Sequence, residues 1–275
     1  MQRIIRIAAG NGVGEVVVGA NGLLSTPAVS ALIRSINAAK PDSCVGGILL
    51  TASHNPGGEH NDFGIKFNTA NGGPALETLT DAIFAHTKSI ESFKQVALPN
   101  DVDVSKAPAV FSFGAGAFTV RVVNPVEVYT DLMQKLFDFD ALKVLFARED
   151  FSFVYDSMSG IAGPYARRIF GELLGVSEEN LMNCDPSPDF NGGHPDPNLT
   201  YAENLVKVMG LGKEVPEKVP DFGAAADGDA DRNMILGKRF FVTPSDSIAI
   251  IAANYKSIPY MRNGIHGVAR SMPTS

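Results

Sequence analysis

The chain alternates short apolar runs with helical stretches over most of its length, and that alternation confines it to an α/β fold more tightly than any other feature. In the second half, residues 153–156 read as a strand and 163–174 as a helix opened by Pro164. Residues 181–184 read as the next strand and 200–209 as the next helix. The small apolar run 222–226, a hairpin over 234–241 and a helix over 245–254 with Asp246 in its first turn follow. In the first half, 1–9 has helical apolar spacing with Gly10 and Gly12 as stops. Residues 16–19 and 47–51 read as strands around a helix at 26–38, with Thr26 as N-cap and Pro27 at the first helical position. Residues 75–93 read as a helix and 110–123 as strand-like. At Asn124-Pro125 the pattern changes to one long helix over 126–147, which marks a domain boundary. The expectation is two consecutive three-layer α/β/α domains, 1–125 and 126–255, with mixed, mainly parallel sheets and helices on both faces.

Two segments carry chemistry. Thr51-Ala52-Ser53-His54-Asn55-Pro56-Gly57-Gly58 follows an apolar strand with a polar turn, which places Ser53 exposed at the edge of a sheet, where open α/β folds bind ligands. A serine hydroxyl needs a base or a metal to become nucleophilic, and His54 is the nearest candidate base. The α/β-hydrolase elbow is excluded, because Thr51 and Asn55 stand where its glycines belong. Taken alone, such a pair more often reads as a serine bonding its own turn beside a solvated histidine. Asp227-Gly228-Asp229-Ala230-Asp231-Arg232 sets three carboxylates at alternate positions behind a buried-strand pattern. Such a donor set suits Mg²⁺ or Ca²⁺. An EF-hand loop is excluded by Arg232 and Lys238 at its sixth and twelfth positions, and Mg²⁺ completed by phosphate oxygen fits better. An isolated Asp-Gly-Asp would read equally as a solvated turn. The two segments support each other: a phosphoserine beside three carboxylates needs a divalent cation between them. Arg232 and Lys66 would neutralise further oxygens.

The strings 21–27, 51–58, 62–68, 71–74, 191–200, 227–233 and 269–275 resemble the α-D-phosphohexomutase superfamily, nearest to eukaryotic phosphoglucomutases of type one. That resemblance implies that Ser53 is the phosphorylated serine and a further metal ligand, and that Asp227, Asp229 and Asp231 bind Mg²⁺. It implies that Arg232 contacts the phosphate, that His54 and Lys66 serve acid–base work and substrate contact, and that Arg270 lines the cleft. It implies interconversion of glucose 1-phosphate and glucose 6-phosphate through glucose 1,6-bisphosphate, with sugar phosphates as partners. The alternatives are a related phosphomannose or N-acetylglucosamine-phosphate mutase, or an inactive truncated phosphoprotein. The family architecture has four domains and roughly twice this length. The resemblance therefore makes this chain a piece truncated at both ends, with 1–125 an incomplete first domain, 126–255 the second, and 256–275 the start of a third. Turnover by the chain alone is expected to be far below that of a complete member. Ala230 stands where many relatives carry glycine, which leaves metal binding unaffected unless the backbone there requires positive φ.

A formal net charge of −7 argues against nucleic-acid and membrane-surface binding, which require basic patches. Cys44 and Cys184, far apart, read as reduced thiols. No apolar run approaches the roughly 18 residues of a membrane span, and no secretory pattern opens the chain. A cytoplasmic protein is expected. Gly10-Asn11-Gly12-Val13-Gly14 lies between a helix and a strand, the reverse of the dinucleotide-site order. His194 reads as a turn residue, and His60, His86 and His266 as surface residues.

Overall fold

The computed structural model describes residues 1–98 and 100–269. The chain divides into two compact units that do not follow chain order. The first comprises Met1–Leu24, Ala28–Leu49 and Lys66–Val128; the second takes Ser25–Pro27, Leu50–Ile65 and the chain from Tyr129 onward.

The elements run in chain order α1 (Gln2–Gly10), β1 (Glu15–Gly19), α2 (Thr26–Ala39), β2 (Gly46–Thr51), β3 (Gly64–Thr69), α3 (Glu77–Ser89), β4 (Ala109–Phe113) and β5 (Phe118–Val123). In the first unit β1 pairs parallel with β5, and β4 antiparallel with β5. Phe118, Val120 and Val122 are buried at every second position of β5, the period-two signature of a strand with one face in the core. Ile5 of α1 joins Val18, Val102, Phe118 and Val120 in that core, and a second cluster gathers Val29, Ile33 and Leu49. The strand expected over 110–123 is a hairpin. Gly114, Ala115 and Gly116 all take positive φ, and three left-handed residues in a row reverse the chain. β2 and β3 form a separate two-stranded ribbon.

The remaining elements are α4 (Pro125–Leu136), α5 (Phe139–Phe146), β6 (Phe153–Asp156), α6 (Ala162–Ala166), β7 (Leu181–Met182), α7 (Glu203–Val208), β8 (Phe222–Ala226), β9 (Asn233–Gly237), β10 (Phe240–Val242) and α8 (Ser247–Ala253). The single helix expected over 126–147 is therefore two helices, α4 and α5. Asp138 separates them by capping α5, its carboxylate accepting the Ala141 N–H at 3.0 Å. Asp138→Ala should cost about 1 kcal/mol of stability, read as a lowered urea midpoint at unchanged slope. α6 continues as a π-helical stretch, Arg167–Leu173.

The sheet of the second unit has the order β10-β9-β8-β6-β7. Its β6–β7 and β6–β8 ladders are parallel, and its β8–β9 and β9–β10 ladders antiparallel, so it is mixed in equal parts rather than mainly parallel. Val154, Ala225, Met234 and Leu236 face Leu205, Val206 and Met209 of and beside α7. The alternate residues Phe153, Tyr155 and Phe222 face the opposite way: Phe153 meets Phe146 of α5 and Phe170 of the π-helical stretch, Tyr155 meets Phe170, and Phe222 stacks on Phe153. Helices thus cover both faces, the three-layer plan expected of the alternation. The aromatic face also encloses an apolar cavity of about 700 Å³ that reaches Ala230, Asp231 and Arg232. Among the described residues no helix is long and apolar enough to cross a membrane.

Candidate functional site

β6 and β8 run parallel, so their carboxyl ends share one sheet edge, and the acidic segment is the loop that joins β8 to β9 there. Asp227, immediately after buried Ala226, anchors that loop. One of its oxygens, Oδ1, accepts the backbone N–H groups of Asp231 at 3.0 Å and Arg232 at 3.1 Å. Its carbonyl accepts the N–H of Ala230, and its own N–H donates to the carbonyl of Arg232. The loop closes with Ala230 at φ 62°, the condition under which the missing glycine matters. Ala230→Gly should therefore stabilise the chain by about 1 kcal/mol, read in urea unfolding without metal.

Donor oxygens of Asp227, Asp229 and Asp231 lie within 4.8 Å of one another. Asp227 and Asp229 are buried, while Asp231 is more open. Burial, and then the neighbouring charge of Asp229, push the Asp227 carboxyl up to about 7. Three converging carboxylates with two of them out of water form an all-oxygen donor set that fits a hard divalent cation.

Ser53 belongs to the same unit as these carboxylates. Its hydroxyl donates to Asp227 Oδ2 at 3.4 Å, across 174 residues of sequence. The expectation of an exposed serine is corrected: Ser53 is only 9% exposed. The cause is the glycine at 228. A Cβ there would overlap the Ser53 carbonyl oxygen and lie 2.7 Å from the Phe190 ring, so hydrogen at that position lets the two loops touch. Phe190 also backs Gly57, where a Cβ would sit 2.9 Å from the ring. One aromatic ring thus abuts both the serine loop and the acidic loop. Ser53 is held at φ 56°, a strained conformation for a non-glycine residue, and its N–H donates to Thr51 Oγ1 at 2.8 Å.

Neighbouring loops brace this arrangement. The Ile161 N–H donates to the carbonyl of Gly228 at 3.0 Å, and Asn191 Nδ2 donates to Ser159 Oγ at 3.0 Å. Buried Asp156 accepts from the Met158 N–H and from Asn183 Nδ2, both at 2.8 Å, and burial raises its carboxyl above the usual range. Thr26, read from sequence as a helix cap, donates its hydroxyl to Asp229 Oδ2 at 2.5 Å.

The other sequence candidates fall as follows. His54 is half-buried, and its Nδ1 is enclosed with no hydrogen-bond partner among the described residues. The Arg232 side chain is half-exposed, with Nε 3.9 Å from Asp231 Oδ1. Lys66 lies half-buried on β3 in the first unit. Arg270 lies outside the described residues. His194 rests against Tyr201 with ring centroids 3.7 Å apart, and His60, His86 and His266 are exposed. Cys44 and Cys184 are free thiols. Sequence reading passed over Gly228, Gly57 and Phe190 as contact makers and Thr26 as a partner of Asp229. The two glycines stand inside the motifs and were the available signal; nothing local links Thr26 or Phe190 to the site.

Residues 1–94 match the family model of phosphoglucomutase/phosphomannomutase, alpha/beta/alpha domain I, and residues 127–239 that of domain II. A cytoplasmic phosphoglucomutase of Bromus inermis is 57% identical over 277 residues, covering 100% of this chain and 48% of its own length. A probable cytoplasmic phosphoglucomutase of Arabidopsis thaliana is 58% identical over 280 residues, with the same coverage. Among solved structures, the open form of the exocytosis-sensitive phosphoprotein pp63/parafusin, a phosphoglucomutase from Paramecium, superposes with a TM-score of 0.92 at 55% identity. That match covers 99% of this chain and 49% of the other. The chain spans about half the length of the curated relatives it matches.

Proposed function

This chain belongs to the phosphoglucomutase/phosphomannomutase family, and from that premise we propose that it carries the phosphoserine and metal-binding portion of a phosphoglucomutase. The reaction assigned is the interconversion of glucose 1-phosphate and glucose 6-phosphate through glucose 1,6-bisphosphate. The observation that carries this reading is the approach of Ser53 Oγ to Asp227, one of three converging carboxylates. Glucose is preferred over mannose because relatives at 57% and 58% identity are named phosphoglucomutases. Those relatives are also named cytoplasmic, and we place this protein in the cytoplasm on the same ground.

Ser53 is the carrier in this proposal. With the phosphoryl group on Oγ, a sugar hydroxyl oxygen attacks phosphorus in line, the new P–O bond forms, and the P–Oγ bond breaks. The hydroxyl proton leaves the sugar, and Ser53 Oγ recovers one. His54 and Lys66 are the groups assigned to that proton exchange and to substrate contact. Arg232 and Arg270 are assigned to phosphate oxygens, an arginine fork matching them in two directions. Asp227, Asp229 and Asp231, with the phosphorylated Ser53, would hold Mg²⁺. When bound, that ion supplies charge withdrawal from the phosphoryl oxygens, which makes Oγ a better leaving group.

The test is incubation of the chain with Mg²⁺ and glucose 1,6-bisphosphate, followed by intact-mass and peptide mass spectrometry. A coupled glucose 1-phosphate assay runs alongside, with Ser53→Ala as the control. One phosphoryl group on Ser53, absent from Ser53→Ala and from samples with chelator, is the expected result. A phosphoryl group elsewhere, or none, sinks the assignment.

A further inference from the structure

We propose that Thr26 is a positioning residue for Asp229, holding that carboxylate in the arrangement a divalent cation requires. The inference rests on the reading of Asp227, Asp229 and Asp231 as a metal site and extends it to a residue two hundred positions away in sequence.

Thr26 makes two bonds to the same partner. Its hydroxyl donates to Asp229 Oδ2 at 2.5 Å, and its backbone N–H donates to the Asp229 carbonyl at 3.0 Å. The first fixes the carboxylate rotamer, and the second fixes the main chain that carries it. A threonine hydroxyl has a single proton. That proton is committed to Asp229, so the side chain does more here than cap α2, for which it would act as an acceptor.

The donor arrives pre-placed. Ser25, the preceding residue, donates its N–H to the Tyr165 hydroxyl at 3.2 Å, and Ser25 and Tyr165 are both buried. Thr26 is the first residue of α2, and its β-branched side chain has few rotamers to choose from. Asp229 itself is 4% exposed, which leaves little water to orient its oxygens. Partners that orient metal-ligating carboxylates commonly carry a 10–100-fold share of metal affinity.

The experiment measures Mg²⁺ binding to the full chain by isothermal titration calorimetry, with Mn²⁺ as a second probe. Foldedness of each variant is checked by circular dichroism without metal. Thr26→Val keeps the shape and removes the hydroxyl; its affinity is expected to fall about 10–100-fold. Thr26→Ser keeps the hydroxyl and removes the methyl; its affinity is expected within about threefold of the unaltered chain, far less than the loss in Thr26→Val. Equal affinity in Thr26→Val and the unaltered chain overturns the proposal. So does a Thr26→Ser variant as weak as Thr26→Val, since packing of the methyl would then be the cause. Should Thr26→Val fail to fold, Thr26→Ala takes its place as the variant without the hydroxyl: a fall of about 10–100-fold is expected, and unchanged affinity overturns the proposal. An unaltered chain that binds neither ion overturns the metal-site reading, and the role of Thr26 with it.

Discussion

Gly228→Ala is expected to slow phosphoryl transfer onto Ser53 by about 100-fold or more, in a chain that keeps its secondary structure. The added methyl has no room. It would overlap the carbonyl oxygen of Ser53 and press on the Phe190 ring at 2.7 Å, and neither obstacle is the free end of a flexible side chain. The acidic loop and the serine loop must then part, and the 3.4 Å separation of Ser53 Oγ from Asp227 Oδ2 opens. Displacements near 1 Å at reacting groups are enough for losses of this size. The sheet below is not disturbed, because β8 and β9 still pair from Ala226 with Asn233 downward. The measurement is the single-turnover rate of Ser53 phosphorylation from glucose 1,6-bisphosphate, with circular dichroism as the check on folding. A rate within a few-fold of the unaltered chain would mean that contact between the loops does not set the reaction geometry.

Asp227→Asn separates the two tasks of that carboxylate. Asparagine Oδ1 can still accept the Asp231 and Arg232 N–H groups that close the loop, so the fold survives. What disappears is the central negative charge of the triad, and divalent-metal affinity is expected to fall by at least about 100-fold. The pH dependence of stability changes as well. In the metal-free chain the Asp227 carboxyl is raised to about 7, above its unfolded value. A raised group contributes its stability fully below the unfolded value and loses it as pH climbs through the folded one. Metal-free stability is therefore expected to decline between about pH 4 and pH 7 through this group, by about 1–3 kcal/mol. The Asn variant lacks that decline and should be the more stable of the two at pH 8 in chelator. Added Mg²⁺ should reverse the order, because it stabilises only the chain that binds it. Urea unfolding at pH 5 and pH 8, with chelator and with Mg²⁺, reads all four corners. A variant that shows the same decline with pH would place the burial cost on another group.

The fold was legible where local pattern and tertiary environment agree. Short apolar runs that end in polar or glycine-containing turns became β1, β2, β6 and β8, since a buried strand needs little more than apolar side chains and a clean stop. The misreadings fall at single residues that punctuate a longer pattern. Asp138 splits the expected long helix by satisfying the open N–H groups of α5. Gly114, Ala115 and Gly116 turn the expected strand back on itself. The expected balance of the sheets was also off, because β8–β9 and β9–β10 are hairpin-connected and hairpins are antiparallel.

By itself the sequence determined the α/β class, the chemistry of the donor set and the strand-end positions of Ser53 and Asp227. Residue type and spacing carry those properties, and they need no partner from elsewhere in the chain. Only the tertiary structure decided that Ser53 is buried, that its hydroxyl meets Asp227 and that Thr26 supports Asp229. The same holds for Phe190, wedged beside Gly57 and Gly228. These contacts join residues scores to hundreds of positions apart. Their distances depend on how loops from separate elements pack at one sheet edge, and no local periodicity records a packing distance.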